Sequence, residues 1–233
     1  MERDNFWLDG EDARSYGIVL QKEIEFDGAE PVVESMKIPG SDRDIVYYDG
    51  SFSNVRGLAS CYFLGGNATE NMAAINEWLM STTGYRRLEV LHDPDFYRMA
   101  RVVHGARLDH RINRLNGFEI EFDCDPFKYF ISGELPLSVT SATTISSPSA
   151  FRAFPVITVA GSGAGTITVN GDTLSLTNCN GTVLNCKMRE AKRGGVSVNS
   201  EIIGTYPVFG RSNSISFTGG VTGLTIVPHW RCL

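Results

Sequence analysis

The chain has 233 residues, 42% hydrophobic and 21% charged, the balance of an ordinary globular protein with room for one large or two small cores. Its net charge of −6 is unevenly spread: residues 1–132 carry 14 Lys and Arg against 23 Asp and Glu (−9), and residues 133–233 carry 7 against 4 (+3). The acidic first part excludes electrostatic capture of nucleic acid there, because phosphate contacts need clustered Lys and Arg.

Met1-Glu2-Arg3-Asp4 leads into Phe6-Trp7-Leu8, an apolar run too short for a signal peptide or a membrane span. The chain is therefore expected to be made in a cytosol, without a membrane partner. The five cysteines (Cys61, Cys124, Cys179, Cys186, Cys232) are then expected as reduced thiols. An odd number with no CxxC pair argues against a disulfide framework and a zinc site.

Phe6 to Leu20 and Lys22 to Phe26 read as short strands, punctuated by Asp9-Gly10 and Asp27-Gly28. Pro31 to Ile38 is another, stopped by Pro39-Gly40. Ser41 to Asp44 is polar and expected to be exposed. Ile45 to Tyr48 ends at Asp49-Gly50, a turn signal, and Val55 to Leu64 reads as a largely buried strand. Gly65-Gly66 then delivers the chain to its one predicted helix. Asn67-Ala68-Thr69-Glu70 offers an N-cap with a glutamate three positions on, and Met72, Ile75, Trp78 and Leu79 recur at helical spacing. Gly84 is the predicted C-terminal cap.

Tyr85 to His92 alternates apolar and polar as a half-buried strand does; Asp93-Pro94-Asp95 turns, and Phe96 to Val103 returns. Arg101 to Ile112 and Phe118 to Phe127 flank Asn116-Gly117, a hairpin signal. Phe118, Ile120, Phe122 and Cys124 share one face of the second strand; Glu119, Glu121, Asp123 and Asp125 share the other. Leu135 to Ala150, rich in Ser, Thr and Pro, suits an extended connector or edge segment. Beyond it, Pro155 to Ala160, Thr166 to Val169, Thr173 to Leu176, Thr182 to Cys186, Val196 to Ile203, Ser214 to Phe217 and Leu224 to Val227 read as short strands between Gly- and Asn-rich turns. About seven such strands predict a β-sandwich.

Three constellations bear on chemistry. The carboxylates Glu119, Glu121, Asp123 and Asp125 stand roughly 6.5 to 7 Å apart along a strand, a separation at which paired carboxylates cleave glycosides. An open face of like charges lacks the apolar setting that raises a carboxyl pKa, and Arg101, Arg107, Arg111 and Arg114 are placed to balance it. The expectation is a solvated face. His92, Asp93, Asp95, His104 and His110 lack HxxxH or HxH spacing and do not predict a metal site. Gly161-Ser162-Gly163-Ala164-Gly165 has no following Lys or helix, and reads as a hairpin turn, not a phosphate loop. Neither a nucleophile signature nor a cofactor motif is present, so no enzymatic activity and no cofactor are predicted.

The helix ending Glu77-Trp78-Leu79, the phrase Gly84-Tyr85-Arg86-Arg87-Leu88 and the run Asp93-Pro94-Asp95-Phe96-Tyr97-Arg98-Met99-Ala100 resemble the N-terminal domain of the distal tail (Dit) proteins of long, flexible-tailed bacteriophages. Ile38-Pro39-Gly40-Ser41-Asp42-Arg43-Asp44 is similar to a loop between that family's early strands. Pro155 to Gly163 and Tyr206 to Arg231 are similar to its galectin-like domain. The resemblance implies a mainly β chain with one helix: an N-terminal β-barrel or sandwich-like ring domain, 1–132, and a C-terminal galectin-like β-sandwich, 133–233.

It also implies a structural hub at the phage tail tip, located in the virion. Six copies form a ring that joins the tail-tube protein to a tail-associated hub protein, often bearing a lysin, and to receptor-binding or baseplate proteins. DNA passes through without specific binding, and Glu119, Glu121, Asp123 and Asp125 are candidates to line that lumen, repelling phosphates. The alternative is a carbohydrate-binding module on a tail or cell surface, using the C-terminal sandwich; Trp7 and Trp230 could stack on a sugar ring, with core or interface as the default for both, and His229 is the polar residue beside Trp230.

Overall fold

The structure, a computed structural model, describes residues 4–63, 68–104 and 117–233, with the side chains of 68–71 outside the description. Asn67, Arg107, His110, Arg111, Arg114 and Asn116 therefore lie outside the described residues, as does the side chain of Glu70. The chain is mainly β, with one α-helix among the described residues. It divides into two compact units, the first running to Lys128 and the second from Tyr129 to Cys232.

The first unit contains β1 (Phe6–Leu8), β2 (Glu11–Asp12), β3 (Ile18–Leu20), β4 (Glu25–Phe26), β5 (Pro31–Met36), β6 (Ile45–Phe52), β7 (Val55–Phe63), α1 (Ala68–Leu79), β8 (Arg86–Val90), β9 (Phe96–Val102) and most of β10 (Gly117–Phe130). Its main sheet runs β2-β1-β8-β9-β10-β7-β3, with β4 beside β7; β5 and β6 form a separate two-stranded sheet. Where Phe6 to Leu20 reads as strand in sequence, a 3-10 turn at Ala13–Tyr16 breaks it, because the Asp12 side chain accepts the Arg14 N–H and Gly17 closes the turn at φ 74°.

The helix covers one face of this sheet. Ile75 and Leu79 are fully buried, Trp78 nearly so, and Met72 packs at the edge of the same core. Trp78 lies between Tyr16, stacked at 4.4 Å, and Phe6 at 6.1 Å, and Phe6 meets Phe122 edge-on at 5.8 Å. The helix ends differently from the sequence expectation. The helix stops at Leu79, and the Trp78 carbonyl in its last turn accepts from Ser81 Oγ (2.9 Å) and from the Arg86 guanidinium (2.8 Å), so Gly84 is not the cap.

The second unit contains β11 (Leu137–Val139), β12 (Thr143–Ser146), β13 (Val156–Val169), β14 (Asp172–Leu176), β15 (Thr182–Asn185), β16 (Glu190–Arg193), β17 (Val196–Ser197), β18 (Ile202–Gly204), β19 (Ser212–Val227) and β20 (Arg231–Cys232). Several sequence expectations need correcting. Leu135 to Ala150 is an edge segment, one of its two expected forms, since β11 and β12 both pair with β19. Gly161 to Gly165 is not a hairpin turn but lies inside β13, and Gly219-Gly220 lies inside β19. Val196 to Ile203 is two short strands around a 3-10 turn, and β16 was not foreseen.

The cause is close backbone approach. A Cβ on Gly161 would sit 2.0 Å from the Gly220 carbonyl oxygen, and one on Gly220 would sit 1.9 Å from that of Ser162. The glycines thus permit two long paired strands to stay close through a bulge, where the register shifts between Ala160 and Gly165. Before the bulge β13 pairs with β15, and after it with β14. Its two halves thereby close over one core, in which Val159, Ile167, Leu174, Leu184, Phe209 and Ile226 are buried.

Candidate assembly surfaces

The acidic row sits on β10 as its alternation predicts: Phe118, Ile120, Phe122 and Cys124 are buried, while Glu119 is exposed and Glu121, Asp123 and Asp125 are half-buried. The row is partly neutralised. Arg56 grips Glu121 through two bonds, 2.8 and 3.2 Å, and holds its carboxyl below the usual range. Arg101 donates to Asp123 at 2.7 Å, and Asn54 donates to the same carboxylate at 2.9 Å.

Arg101 is one of the balancing residues expected from sequence. Arg56 is not, because β7 reads there as a largely buried strand. In the structure β7 alternates: Val55, Gly57, Ala59, Cys61 and Phe63 turn inward, and Arg56 stands exposed directly across from Asp123. A depressed Glu121 pKa is the opposite of what a general acid in glycoside cleavage requires.

Among the described residues, the histidines and aspartates form no group that could hold a metal ion. His92 Nδ1 lies 2.8 Å from Asp4, while Asp93 accepts from Lys128 at 2.9 Å. Cys61, Cys124 and Cys186 are buried, and burial pushes each thiol up to about 12, so none supplies a thiolate near neutrality. Trp230, offered above as a sugar contact, is buried against Phe209 with ring centroids 5.6 Å apart, and its face is spent on the core. The neighbouring His229 reaches Glu134 at 2.9 Å.

One surface escaped the sequence reading. β5 and β6 form an arm that continues the β4–β7 edge: Phe26 pairs with Gly57, the Asp27 N–H donates to the Arg56 carbonyl, and the Ser53 N–H donates to the Glu30 carbonyl. Its root is fixed by an aromatic ladder, Tyr48 to Phe52 at 6.1 Å and Phe52 to Phe127 at 5.7 Å. At Asp49-Gly50, where sequence predicts a turn between strands, β6 instead carries a bulge. Gly50 supplies φ 89° and the Asp49 carboxylate accepts from Ser51.

Every residue of β5, and every residue of β6 except Phe52, is exposed. Of the 17 large hydrophobic side chains exposed among the described residues, eight belong to this arm and its tip: Val32, Val33, Met36, Ile38, Ile45, Val46, Tyr47 and Tyr48. The sequence signal was ambiguous by nature, because consecutive apolar residues in a strand normally mean burial on both faces.

No protein-family model and no curated protein sequence matches the chain. Two solved structures are similar in fold. The SPP1 Dit protein, described as a paradigm of the hub adsorption apparatus of phages that infect Gram-positive bacteria, superposes with a TM-score of 0.74 over 100% of both chains, at 14% identity. A chain of the phage p2 baseplate in its activated, strontium-containing conformation superposes with a TM-score of 0.52 over 96% of each chain, at 10% identity. The fold is thus Dit-like along the full length of the chain.

Proposed function

We propose that this chain is a structural hub at the tip of a phage tail. Six copies form a ring through residues 1–132, continuing the tail-tube protein above and meeting a tail-associated hub protein below. Residues 133–233, galectin-like in this reading, face outward to hold receptor-binding or baseplate proteins. The chain works by holding other proteins in place, without a reaction or a cofactor. The observation that carries the reading is the match over 100% of both chains to a phage hub protein, two units included.

The chemistry of the surfaces supports it. Glu121 carries a depressed pKa, Trp230 is buried, and the high-pKa thiols are buried, so these candidates favour scaffolding over turnover. The acidic row on β10 is proposed to face the lumen, where surplus negative charge keeps passing DNA from adhering. A heterologous ring also needs each copy to present two unlike surfaces that close after a whole number of steps.

Tail assembly in extracts with and without the chain tests the role. Intact tails with tips are expected only when it is present, and tips that form without it would refute the role. For the lumen, Glu119→Lys with Asp125→Lys is expected to slow DNA ejection and to make the purified ring retain DNA. Unchanged ejection and no retention would remove that assignment.

A further inference from the structure

Among the described residues the dipeptide Asn-Gly occurs twice, in surroundings that differ. Asn170-Gly171 joins β13 to β14, and Asn180-Gly181 lies in the loop from β14 to β15; all four residues are exposed. We propose that Asn180 is a site of spontaneous covalent modification, converting to aspartate and isoaspartate through a cyclic imide, while the fold holds Asn170 unreactive. The site is independent of the ring proposed above.

The chemistry needs a backbone nitrogen that can reach the side-chain amide before it. The Gly181 nitrogen attacks Cγ of Asn180: an N–Cγ bond forms, the Cγ–Nδ2 bond breaks, and the Gly181 amide proton leaves with Nδ2 as ammonia. Water then adds to one of the two imide carbonyls and opens the ring, giving aspartate from one and isoaspartate from the other. Nothing is oxidised or reduced, and water is the sole co-reactant. Glycine suits the attacking position because it has no Cβ to shield its nitrogen.

The loop leaves both reacting groups free. Among the described residues, neither the Asn180 side chain nor the Gly181 N–H makes a hydrogen bond. Gly181 stands at φ 63° with open space where a side chain would project. The flanks are fixed: the Asn180 N–H donates to Asn178 Oδ1 at 3.1 Å, the Thr182 N–H donates to the Cys179 carbonyl at 3.3 Å, and Arg193 donates to the Asn178 carbonyl at 2.8 Å. An untethered amide thus sits at the tip of an anchored turn, open to the water that completes the reaction.

Asn170 has the same following residue and the same exposure, but its side chain is tied down. Its Oδ1 accepts the Ser214 N–H at 2.9 Å, its Nδ2 donates to Asn213 Oδ1 at 3.1 Å, and its own N–H donates to the Ser214 carbonyl at 3.0 Å. Asn213 is fully buried, so the tether is fixed to the interior of the second unit. An imide cannot form at Asn170 until Cγ swings away from both side-chain partners. Giving up two net hydrogen bonds slows that step by at least about tenfold. Each conversion at Asn180 adds one negative charge to residues 133–233, and isoaspartate routes the main chain through an extra carbon just ahead of β15.

The test incubates the folded, full-length chain at mildly alkaline pH, digests timed samples under acid conditions, and follows the peptides holding positions 170 and 180 by mass spectrometry. An isoaspartate methyltransferase labels the isoaspartate product. Asn180 is expected to convert at least about tenfold faster than Asn170, and Asn180→Gln to remove the label from this loop. In chain held unfolded in guanidinium the two rates are expected to converge, since only the fold distinguishes the sites. An unconverted Asn180, equal rates in the folded chain, or a difference that survives unfolding would overturn the proposal.

Discussion

Arg86 is buried on the core side of β8, where its guanidinium donates to Asp9 (2.8 Å) and to the Trp78 carbonyl at the end of the helix. A hydrogen bond from a charged donor to a carbonyl in a helix's last turn contributes more than a neutral one. Arg86→Ala is expected to cost about 2 to 3 kcal/mol in denaturant titration, and Arg86→Lys to recover little, since one ammonium does not reproduce the fork that reaches both partners. Its place was legible: the phase set by Leu88 and Val90 puts Arg86 on the inward face. What sequence could not supply was the partner, because Asp9 lies 77 positions away.

Glu201 makes a second prediction at this scale. Arg193 and, less strongly, Thr177 hydrogen-bond its carboxylate and lower its pKa from 4.5. A folded-state pKa below the unfolded value means stabilisation that is present above the unfolded pKa and lost as pH falls through the folded one. The melting temperature of the wild-type chain is expected to fall on acidification below about pH 4.5. Glu201→Gln should show a shallower fall over the same range; an unchanged slope would mean that the pair contributes nothing to it.

Among the elements, the pairing of β13 with β19 shows why strand lengths were misjudged. Glycine clusters at 161–165 and 219–220 are turn signals on local grounds, yet here they serve the close approach of two paired strands distant in sequence. Only tertiary contact distinguishes the two uses. Gly161→Ala is expected to destabilise the chain by at least about 3 kcal/mol, because its Cβ would overlap a carbonyl. Gly163→Ala meets open space at φ 72° and is expected to cost about 1 to 2 kcal/mol. Thermal unfolding of the pair checks the ranking, and equal losses would contradict it. The helix was the easier case, since the spacing of Ile75, Trp78 and Leu79 is local information and all three are buried as it predicts. The arm was the harder one, because consecutive apolar residues in a strand normally mean burial, whereas here they stand exposed.

At the scale of the whole molecule, the mainly β architecture with one helix was legible from turn signals and periodicity. The resemblance carried by 77–79, 84–88 and 93–100 is matched by a full-length fold likeness at 14% identity. Such low identity preserves a fold through its pattern of buried positions more than through particular residues. Function follows from assembly in this account: sheets that fill two cores, an arm left uncovered, and an acidic row only partly neutralised by Arg56 and Arg101. The most direct measurement is electron microscopy of tails with this chain labelled, averaged along the tail axis without imposed symmetry. The account predicts six copies in one closed ring at the tip around an open channel; the chain found as a single copy, in another ring number, or away from the tip would contradict it.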